Sequence, residues 1–314
     1  MKDIAFGPVP SRRLGRSLGI NNIPPKICTY SCVYCQLGRS LKMTTERKSF
    51  YSPYEIFEEV DKKVKETLSR NESIDYLTFV PDGEPTLDIN LGKEVELLKS
   101  LNIKIAIITN GSLMWREDVK NDLLNFDLVS IKVDAVSEEL WRKIDRGFKD
   151  LNLELILEGI KRFDEEFKGT LISETMLIDG IDYCNEFEKI AEYLSKLKSL
   201  KTSYISIPTR PPAEKWVKSP KESVLNEAFQ IFSNKLKNRV EYLIGYEGNA
   251  FAYSGDIEED ILSITAVHPM REDAVMELLE KDKGDPSKIE SLLKRGLIKK
   301  VEYQGHIYYL RKFR

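Results

Sequence analysis

Cysteine is scarce in this chain, and its few positions are unevenly spread. The 314 residues contain cysteine only at positions 28, 32, 35 and 184. A disulfide framework uses an even number of cysteines at wider spacing than the first three show. The scarcity and the clustering together argue against structural disulfides and favour metal or redox chemistry.

The sequence also lacks long apolar segments. No run approaches the roughly 20 apolar residues of a membrane-spanning helix, and the opening MKDIAFGPVPSRRLGRS has no continuous apolar stretch like that of a signal peptide. We therefore expect a cytoplasmic protein without membrane contact. Glutamine occurs only at positions 36, 230 and 304, while Lys and Glu dominate the 32% of charged residues. This composition resembles that of thermophile proteins.

Positive charge is concentrated at the two ends of the chain. Residues 1–50 have a net charge of +7 and residues 286–314 of +6, which leaves −16 for the middle of a chain whose total is −3. Each basic end is suited to facing an anion, and each is equally compatible with a solvated surface.

Between residues 50 and 210, short apolar runs alternate with longer helical patterns. The first helix, after Ser52-Pro53, is expected to bury Ile56, Val60, Val64 and Leu68. Strand, helix and strand at this spacing predict an α/β fold with a parallel sheet and right-handed crossovers. The count is about six units, too few for a full eight-fold barrel. We therefore predict a partial (β/α)6 barrel, with function where the strands end.

The pattern changes after Ser254-Gly255. Three helical segments, at about 256–264, 271–280 and 286–295, precede two strand runs, Ile298–Tyr303 and Ile307–Leu310. Three helices and a hairpin predict a small winged helix-turn-helix domain over residues 255–314, appended to a larger domain over residues 1–254.

The clustered cysteines lie in the loop 26–38, in the segment KICTYSCVYC, with the spacing C-x3-C-x2-C. Three thiolates in one loop can bind three irons of a cubane [4Fe-4S] cluster. A structural zinc site is the alternative, but it needs a fourth ligand, and only Cys184, His268 and His306 are available. Cys184 is expected to be a packed free thiol.

This loop, with an aromatic residue before its third cysteine, resembles that of the radical S-adenosylmethionine (SAM) superfamily. The resemblance implies that Cys28, Cys32 and Cys35 leave one iron for SAM, whose reductive cleavage gives a 5′-deoxyadenosyl radical. It also implies a flavodoxin- or ferredoxin-like electron donor. The residues that it assigns to SAM binding are Tyr34 near the adenine, the GEP motif Gly83, Glu84 and Pro85, and the strand-end residues Asn110, Ser130, Lys132 and Asp134. An internal Lys132–Asp134 ion pair is the alternative role for that pair.

Within the superfamily, PVPSRRLGRSLGIN, GEPT and SIKVDA resemble the group that contains archaeal tRNA wyosine synthases, although the extra cysteines of those enzymes are missing here. We expect modification of a substrate such as tRNA or another nucleic acid. A protein or peptide partner and a redox-sensing DNA-binding regulator are the alternatives. The candidate substrate contacts are Arg12, Arg13 and Arg16 at the barrel mouth, Glu174 if its strand register turns it inward, Arg210, and Lys294, Arg295, Lys299 and Lys300 of the winged domain.

Overall fold

A computed structural model describes residues 4–244, 251 and 255–312. Its strands are β1 (Ala5–Ser11), β2 (Gly15–Ile20), β3 (Ile27–Cys28), β4 (Lys42–Met43), β5 (Tyr76–Phe79), β6 (Lys104–Thr109), β7 (Leu128–Lys132), β8 (Thr170–Met176), β9 (Leu200–Ser206), β10 (Val240–Leu243), β11 (Met270–Arg271), β12 (Ile298–Tyr303) and β13 (His306–Arg311). Its α-helices are α1 (Pro53–Ser69), α2 (Leu91–Leu98), α3 (Glu117–Leu123), α4 (Glu138–Ile144), α5 (Leu153–Glu166), α6 (Glu186–Ser195), α7 (Glu222–Leu236), α8 (Ile257–Val267), α9 (Glu272–Asp282) and α10 (Ser287–Lys294).

One eight-stranded sheet organises the larger part of the chain. Its strand order is β1-β2-β5-β6-β7-β8-β9-β10, so that β1 and β10 lie at the two edges. All neighbouring strands from β2 to β10 run parallel, and β1 alone is antiparallel to its neighbour β2. The predicted α/β fold with a parallel sheet is therefore confirmed. Because the strands are parallel, their carboxyl ends meet at one end of the sheet.

Helix α1 shows where a sequence pattern drifts from the real helical period. Ile56, Val60 and Val64 are buried as expected, but Leu68 is 52% exposed and Thr67 is buried instead. A spacing of four residues exceeds the 3.6 residues of one turn, so each step rotates the side chain further from the core. The prediction of a buried side chain is therefore wrong for Leu68, the last of the four positions.

Alternation along the strands sends one set of side chains to each face of the sheet. Leu14, Ala106, Leu128 and Ile172 pack into a small apolar cluster of their own on one face. Further along the same strands, with period two, Glu174 lines a cavity. The register of β8, which the sequence left undecided, thus turns Glu174 inward and leaves Ser173 without that role.

The last part of the chain has its own three-stranded sheet, in the order β11-β13-β12, and its own apolar core. Helices α8, α9 and α10 correspond to the three predicted segments, while β11 was not predicted. The predicted domain boundary at residue 254 lies outside the described residues. Among the described helices, none combines the length and apolar character needed to cross a membrane.

A buried ionic network lies under the turn that follows β5. Arg47 donates to the backbone oxygens of Thr86, at 2.9 Å, and Asp88, at 2.6 Å, and pairs with Asp118 at 3.0 Å. Asn22 Nδ2 donates to Pro85 O at 3.1 Å. The bonds to Pro85 O, Thr86 O and Asp88 O fix the backbone of the turn, because each satisfies a backbone carbonyl oxygen.

Glu94 of α2 belongs to the same network. It is fully buried, and Asn22 Nδ2 lies 3.4 Å from Glu94 Oε2. Burial first, and then the nearby carboxylate of Asp88, raise the pKa of Glu94 to about 9. Burial also raises the pKa of Asp88, to about 6. Ionising both carboxyl groups inside the protein is therefore unfavourable.

We expect Glu94→Gln to stabilise the protein as the pH rises. A raised folded-state pKa means that the contribution of Glu94 to stability is complete below about pH 4.5 and is lost as the pH climbs toward 9. Glutamine cannot ionise, so the variant should gain about 2 kcal/mol or more relative to wild type between pH 5 and pH 9. Urea unfolding at pH 5 and pH 9 measures the free energy of unfolding of both proteins. Glu96→Gln is the control, because Glu96 is exposed on the same helix. Parallel pH dependence of variant and wild type would contradict the assignment.

Candidate active site

The three clustered cysteines lie in the loop between β2 and α1. The end of α4 holds this loop through its backbone: Ser31 N donates to Asp145 O at 3.1 Å and Val33 N to Ile144 O at 2.9 Å. In the other direction, Phe148 N donates a hydrogen bond to Thr29 O of the loop at 2.8 Å. Helix α4 follows β7 directly, so the geometry of the loop is tied to the central strands of the sheet.

Cys28, Cys32 and Cys35 all line one cavity of about 310 Å³, which we call the central cavity. Most of the rest of its wall comes from the carboxyl ends of the strands, where parallel sheets place their functional groups. These residues are Val80, Pro81, Gly83 and Glu84 after β5, Ile108, Thr109 and Asn110 at the end of β6, Lys132 of β7, Glu174 and Met176 of β8, Ser206 of β9 with residues 207–210 after it, and Leu243 of β10. Arg13 of the β1–β2 turn and Tyr34, Gln36 and Leu37 of the cysteine loop complete the wall.

Gly83 brings the turn after β5 into direct contact with the cysteine loop. A Cβ atom at this position would lie 1.9 Å from the carbonyl oxygen of Ile27. Glu84 N donates to the same oxygen at 3.1 Å. Only glycine permits this approach of two backbones.

Glu84 is buried and held by the next strand. Its carboxylate accepts from Thr109 Oγ1 at 2.6 Å and from Asn110 N at 2.8 Å. Burial raises the pKa of Glu84, and these hydrogen bonds oppose that rise. Asn110 Nδ2 in turn donates to Thr29 Oγ1 at 2.8 Å and lies 3.7 Å from Cys28 Sγ. The turn, β6 and the cysteine loop therefore form one connected unit.

Lys132 lies among several acidic groups. Its Nζ is 3.2 Å from Glu174 and 3.5 Å from Asp134, and it stands 4.9 Å from the centre of the Tyr34 ring. The alternative of an internal Lys132–Asp134 pair is thus present in the structure. Burial by itself would lower the pKa of Lys132, but Asp134 and Glu174 outweigh it and the pKa is raised.

Glu174 contacts two cations in the central cavity. Arg13 Nη1 contacts it at 2.5 Å, Lys132 at 3.2 Å, and Ser206 Oγ donates to it at 2.8 Å. Burial would raise the pKa of Glu174, but Lys132 and Arg13 lower it to about 2. Glu174 is therefore an anion at any physiological pH.

Asp145 is a site residue that the sequence reading missed. Cys32 Sγ donates to its Oδ1 at 3.4 Å, and the Tyr34 hydroxyl lies 3.2 Å from the same oxygen while also bonding Asp134. Burial, and then the charge of Asp134, raise the pKa of Asp145 well above its usual range. Asp145 caps the end of α4 and belongs to no recognisable motif, so no sequence signal marks it.

Some predicted site residues are buried behind the cavity surface. Pro85 begins a short 3-10 helix, and Asp134 binds Met176 N at 2.7 Å. Ser130 Oγ lies 3.4 Å from Arg13 Nη1. These three residues support the wall without lining it.

The three N-terminal arginines do not lie together at one site, contrary to the expectation that they gather at the barrel mouth. Arg13 lines the central cavity. Arg12 Nη2 donates to Tyr242 O of β10 at 3.3 Å, and Arg16 pairs with Glu72 at the amino ends of the strands. The tight turn between β1 and β2 points these neighbouring side chains in different directions. Of the three, only Arg13 lines the central cavity.

The C-terminal basic residues lie outside the cavity, and most have acidic neighbours. Lys294 lies 3.9 Å from Glu290, Arg295 lies 2.7 Å from Glu258, Lys300 lies 3.0 Å from Glu272, and Lys299 is exposed. Arg210 does line the central cavity, where it donates to Gln36 Oε1 at 2.9 Å and contacts His268 Nε2 at 2.6 Å.

The three candidates for a fourth zinc ligand lie away from the loop cysteines. Cys184 is exposed before α6 and His306 is exposed in the β12–β13 hairpin. His268 contacts Arg210 but does not itself line the central cavity. The expectation that Cys184 is a packed thiol is therefore wrong. In the part of the chain that the structure describes, no group of three or more His, Cys, Asp or Glu residues is arranged around a single metal ion such as zinc.

Removing Lys132 should destabilise the protein through the acids that it neutralises. Lys132→Met should lower the free energy of unfolding by about 2–4 kcal/mol, because buried carboxylates lose their cation. The double variant Lys132→Met/Glu174→Gln should recover at least about 1 kcal/mol, since one of those charges is removed. Urea unfolding at pH 7 measures both, with the surface variant Lys161→Gln as control. Strictly additive losses would show that the two residues are not coupled.

Comparison with known proteins agrees with the site. The sequence profile described as the Radical SAM superfamily matches residues 22–194. A "UPF0026 protein" of Methanocaldococcus jannaschii is 53% identical, over 99% of this chain and 97% of that protein. The structure of a radical SAM methyltransferase from Sphaerobacter thermophilus superposes with a TM-score of 0.58 at 16% identity, over 73% of this chain and 66% of that one. The structure of TYW1 with a lysine-pyruvate adduct gives 0.50 at 17% identity, over 70% and 73%.

The last two similarities concern the fold, because their sequence identities are low. They confirm that the chain resembles the wyosine synthase group in its fold. The profile covers more than half of the chain, including the cysteine loop and the ends of β5, β6, β7 and β8. The chain therefore belongs to the radical SAM superfamily of enzymes, which use a [4Fe-4S] cluster and S-adenosylmethionine, and within it to the UPF0026 family.

Proposed function

We propose that Cys28, Cys32 and Cys35 hold the [4Fe-4S] cluster in the central cavity and leave its fourth iron for SAM. The observation that carries this proposal is that the three thiols and the carboxyl ends of β5 to β10 line a single cavity. Burial, and then the charge of Glu84, raise the pKa of Cys28 to about 12. Buried thiolates therefore need a strongly positive partner, and the irons of a cluster supply one.

The remaining cavity residues fit the polar parts of SAM. Glu84 Oε2 accepts from Asn110 N and retains further acceptor capacity for the methionine amino group. Lys132 is placed to contact the methionine carboxylate or the ribose, Asp134 orients Lys132 and Tyr34, and Tyr34 lies beside the adenine by resemblance. When bound, the cluster and SAM together supply the electron transfer and the radical. The chain itself binds and orients them and excludes water.

The architecture that we propose is the one expected from the sequence. We infer that the eight-stranded sheet is a partial (β/α)6 barrel over residues 1–254. Three helices around the sheet β11-β13-β12 support a winged helix-turn-helix over residues 255–314. A flavodoxin- or ferredoxin-like donor would reduce the cluster in the cytoplasm.

Substitution of each loop cysteine tests the cluster assignment. We expect Cys28→Ala, Cys32→Ala and Cys35→Ala to lose the cluster and all SAM cleavage, while Cys184→Ala keeps both because Cys184 is exposed and remote from the loop. The measurements are iron and sulfide content after anaerobic reconstitution, and 5′-deoxyadenosine formed with dithionite and SAM. A reconstituted wild-type cluster that never cleaves SAM would overturn the proposed function.

The substrate that we propose is a nucleic acid such as tRNA, bound through the exposed surface of α10 and β12. Lys294 is 81% exposed in its side chain and Arg295 is 51% exposed. The neighbouring carboxylates reduce the net charge of this surface, so the attraction to phosphates is weaker than the sequence alone indicates. A protein or peptide substrate is the alternative that the same surface would serve. Since members of the superfamily are enzymes, the regulator hypothesis is not retained.

Neutralising this surface tests the RNA proposal. The variant with Lys294, Arg295, Lys299 and Lys300 all changed to Gln should bind tRNA at least about tenfold more weakly at low salt, because phosphate contacts dominate such affinity. Its affinity should also depend less steeply on salt. Filter binding and crosslinking measure both effects. The matched control changes four lysines that are exposed elsewhere, Lys62, Lys65, Lys99 and Lys201, to Gln. Equal losses in both variants, or no wild-type binding at low salt, would contradict the proposal.

A further inference from the structure

Three segments beside the cysteines are held together by one carboxylate, that of Glu214. It accepts from Arg39 Nε at 2.8 Å and from Arg146 Nη1 at 2.5 Å. The backbone N of Glu214 donates to Val33 O of the cysteine loop at 3.0 Å. The residues that follow the third cysteine, the residues that follow α4 and the segment 211–220 therefore meet at this point.

The charges at this junction are mostly positive. Arg39, Lys42 and Lys215 are exposed, and Arg146 is half-buried. Glu214 is buried and neutralises only one of the two arginines that it contacts. Lys42 and Lys215 form no ion pair with any other residue that the structure describes. Four cations and one carboxylate thus leave a net charge of about +3 here, whereas the whole chain has a net charge of −3.

Two large apolar side chains are exposed among these cations. Leu41 is 70% exposed, between Arg39 and Lys42 in the chain, and Trp216 is 44% exposed and follows Lys215. Exposed apolar and aromatic side chains with Arg nearby are typical of surfaces that bind another protein. We call this set the loop surface, and it consists of Arg39, Leu41, Lys42, Arg146, Lys215 and Trp216.

The loop surface lies one strand away from Cys28, which we assign to the cluster. Strand β4 pairs in parallel with β3, so that Met43 lies opposite Cys28. Thr44 N donates to Cys28 O at 3.2 Å. Neighbouring strands are about 4.8 Å apart. A protein seated on Leu41 and Lys42 would therefore be separated from the strand of Cys28 by β4 alone.

We propose that the loop surface docks the electron donor, a small protein with acidic residues around its redox group. One electron leaves the donor, which is oxidised, and enters the cluster, which is reduced. The positive charge attracts an acidic partner, and Leu41 and Trp216 supply apolar contact. A surface of six residues suits electron-transfer complexes, because their interfaces are small and transient. This inference rests on the proposed function, which assigns a cluster to the loop cysteines.

Charge reversal tests the loop surface, with a purified acidic flavodoxin as the probe. Lys42→Glu/Lys215→Glu should bind the oxidised flavodoxin at least about tenfold more weakly at low salt, because attraction becomes repulsion. Calorimetry measures this affinity without any turnover. Stopped-flow reduction of the reconstituted cluster by the flavodoxin hydroquinone should slow by a similar factor, and the wild-type rate should fall as salt rises. The matched control is Lys62→Glu/Lys201→Glu, which changes the total charge equally at lysines that are exposed elsewhere.

Both double variants should form as much 5′-deoxyadenosine as wild type when dithionite is the reductant, because dithionite needs no docking surface. Equal affinities of the two double variants for flavodoxin, or no binding of flavodoxin by wild type, would overturn the inference. Loss of tRNA affinity in Lys42→Glu/Lys215→Glu with unchanged flavodoxin affinity would assign the surface to RNA and would overturn it as well. Wild-type protein that forms no 5′-deoxyadenosine with dithionite would instead contradict the proposed function itself.

Discussion

Buried negative charge around the central cavity is the constraint on which the rest of the site depends. Glu84, Asp134, Asp145 and Glu174 are all at most 8% exposed, and three thiols lie among them. Arg13 and Lys132 are the cations in direct contact with these acids. So much acid in a low-dielectric space requires either protonation or a positively charged occupant. The irons of a cluster and the sulfonium and ammonium groups of SAM have the required sign.

The same constraint explains how the surrounding structure is built. Glu174 can remain ionised because Arg13 reaches it from the β1–β2 turn while Lys132 reaches it from β7. Asp145 lies against Cys32 and Tyr34, and burial and the charge of Asp134 raise its pKa more than the charge of Lys132 lowers it. The pKa values of Glu174 and Asp145 are thus shifted in opposite directions, although both carboxyl groups are buried.

The strands β5 to β10, and the polar residues at their ends, were predictable because both signals are local in sequence. Apolar runs marked the strands, and polar residues followed each run at the edge where parallel strands end. The register of β8 was not predictable, since Ser173 and Thr175 alternate as well as Glu174 and Met176 do. Asp145 was not predictable either, because a single aspartate after a helix is an ordinary cap and only tertiary contact brings it to Cys32.

Side-chain direction in the turns and the pairing of surface charges depend on non-local contacts. The expectations from sequence about the N-terminal arginines and the C-terminal basic residues therefore differ from the structure. Arg13 and Arg16 are three residues apart, yet one lines the central cavity and the other pairs with Glu72 at the opposite end of the strands. The residues near the C-terminus have a large net positive charge when charges are counted along the chain. In the structure, however, Glu258 of α8 pairs with Arg295 and Glu272 of α9 pairs with Lys300. A charge count along a sequence therefore overestimates the potential of the folded surface.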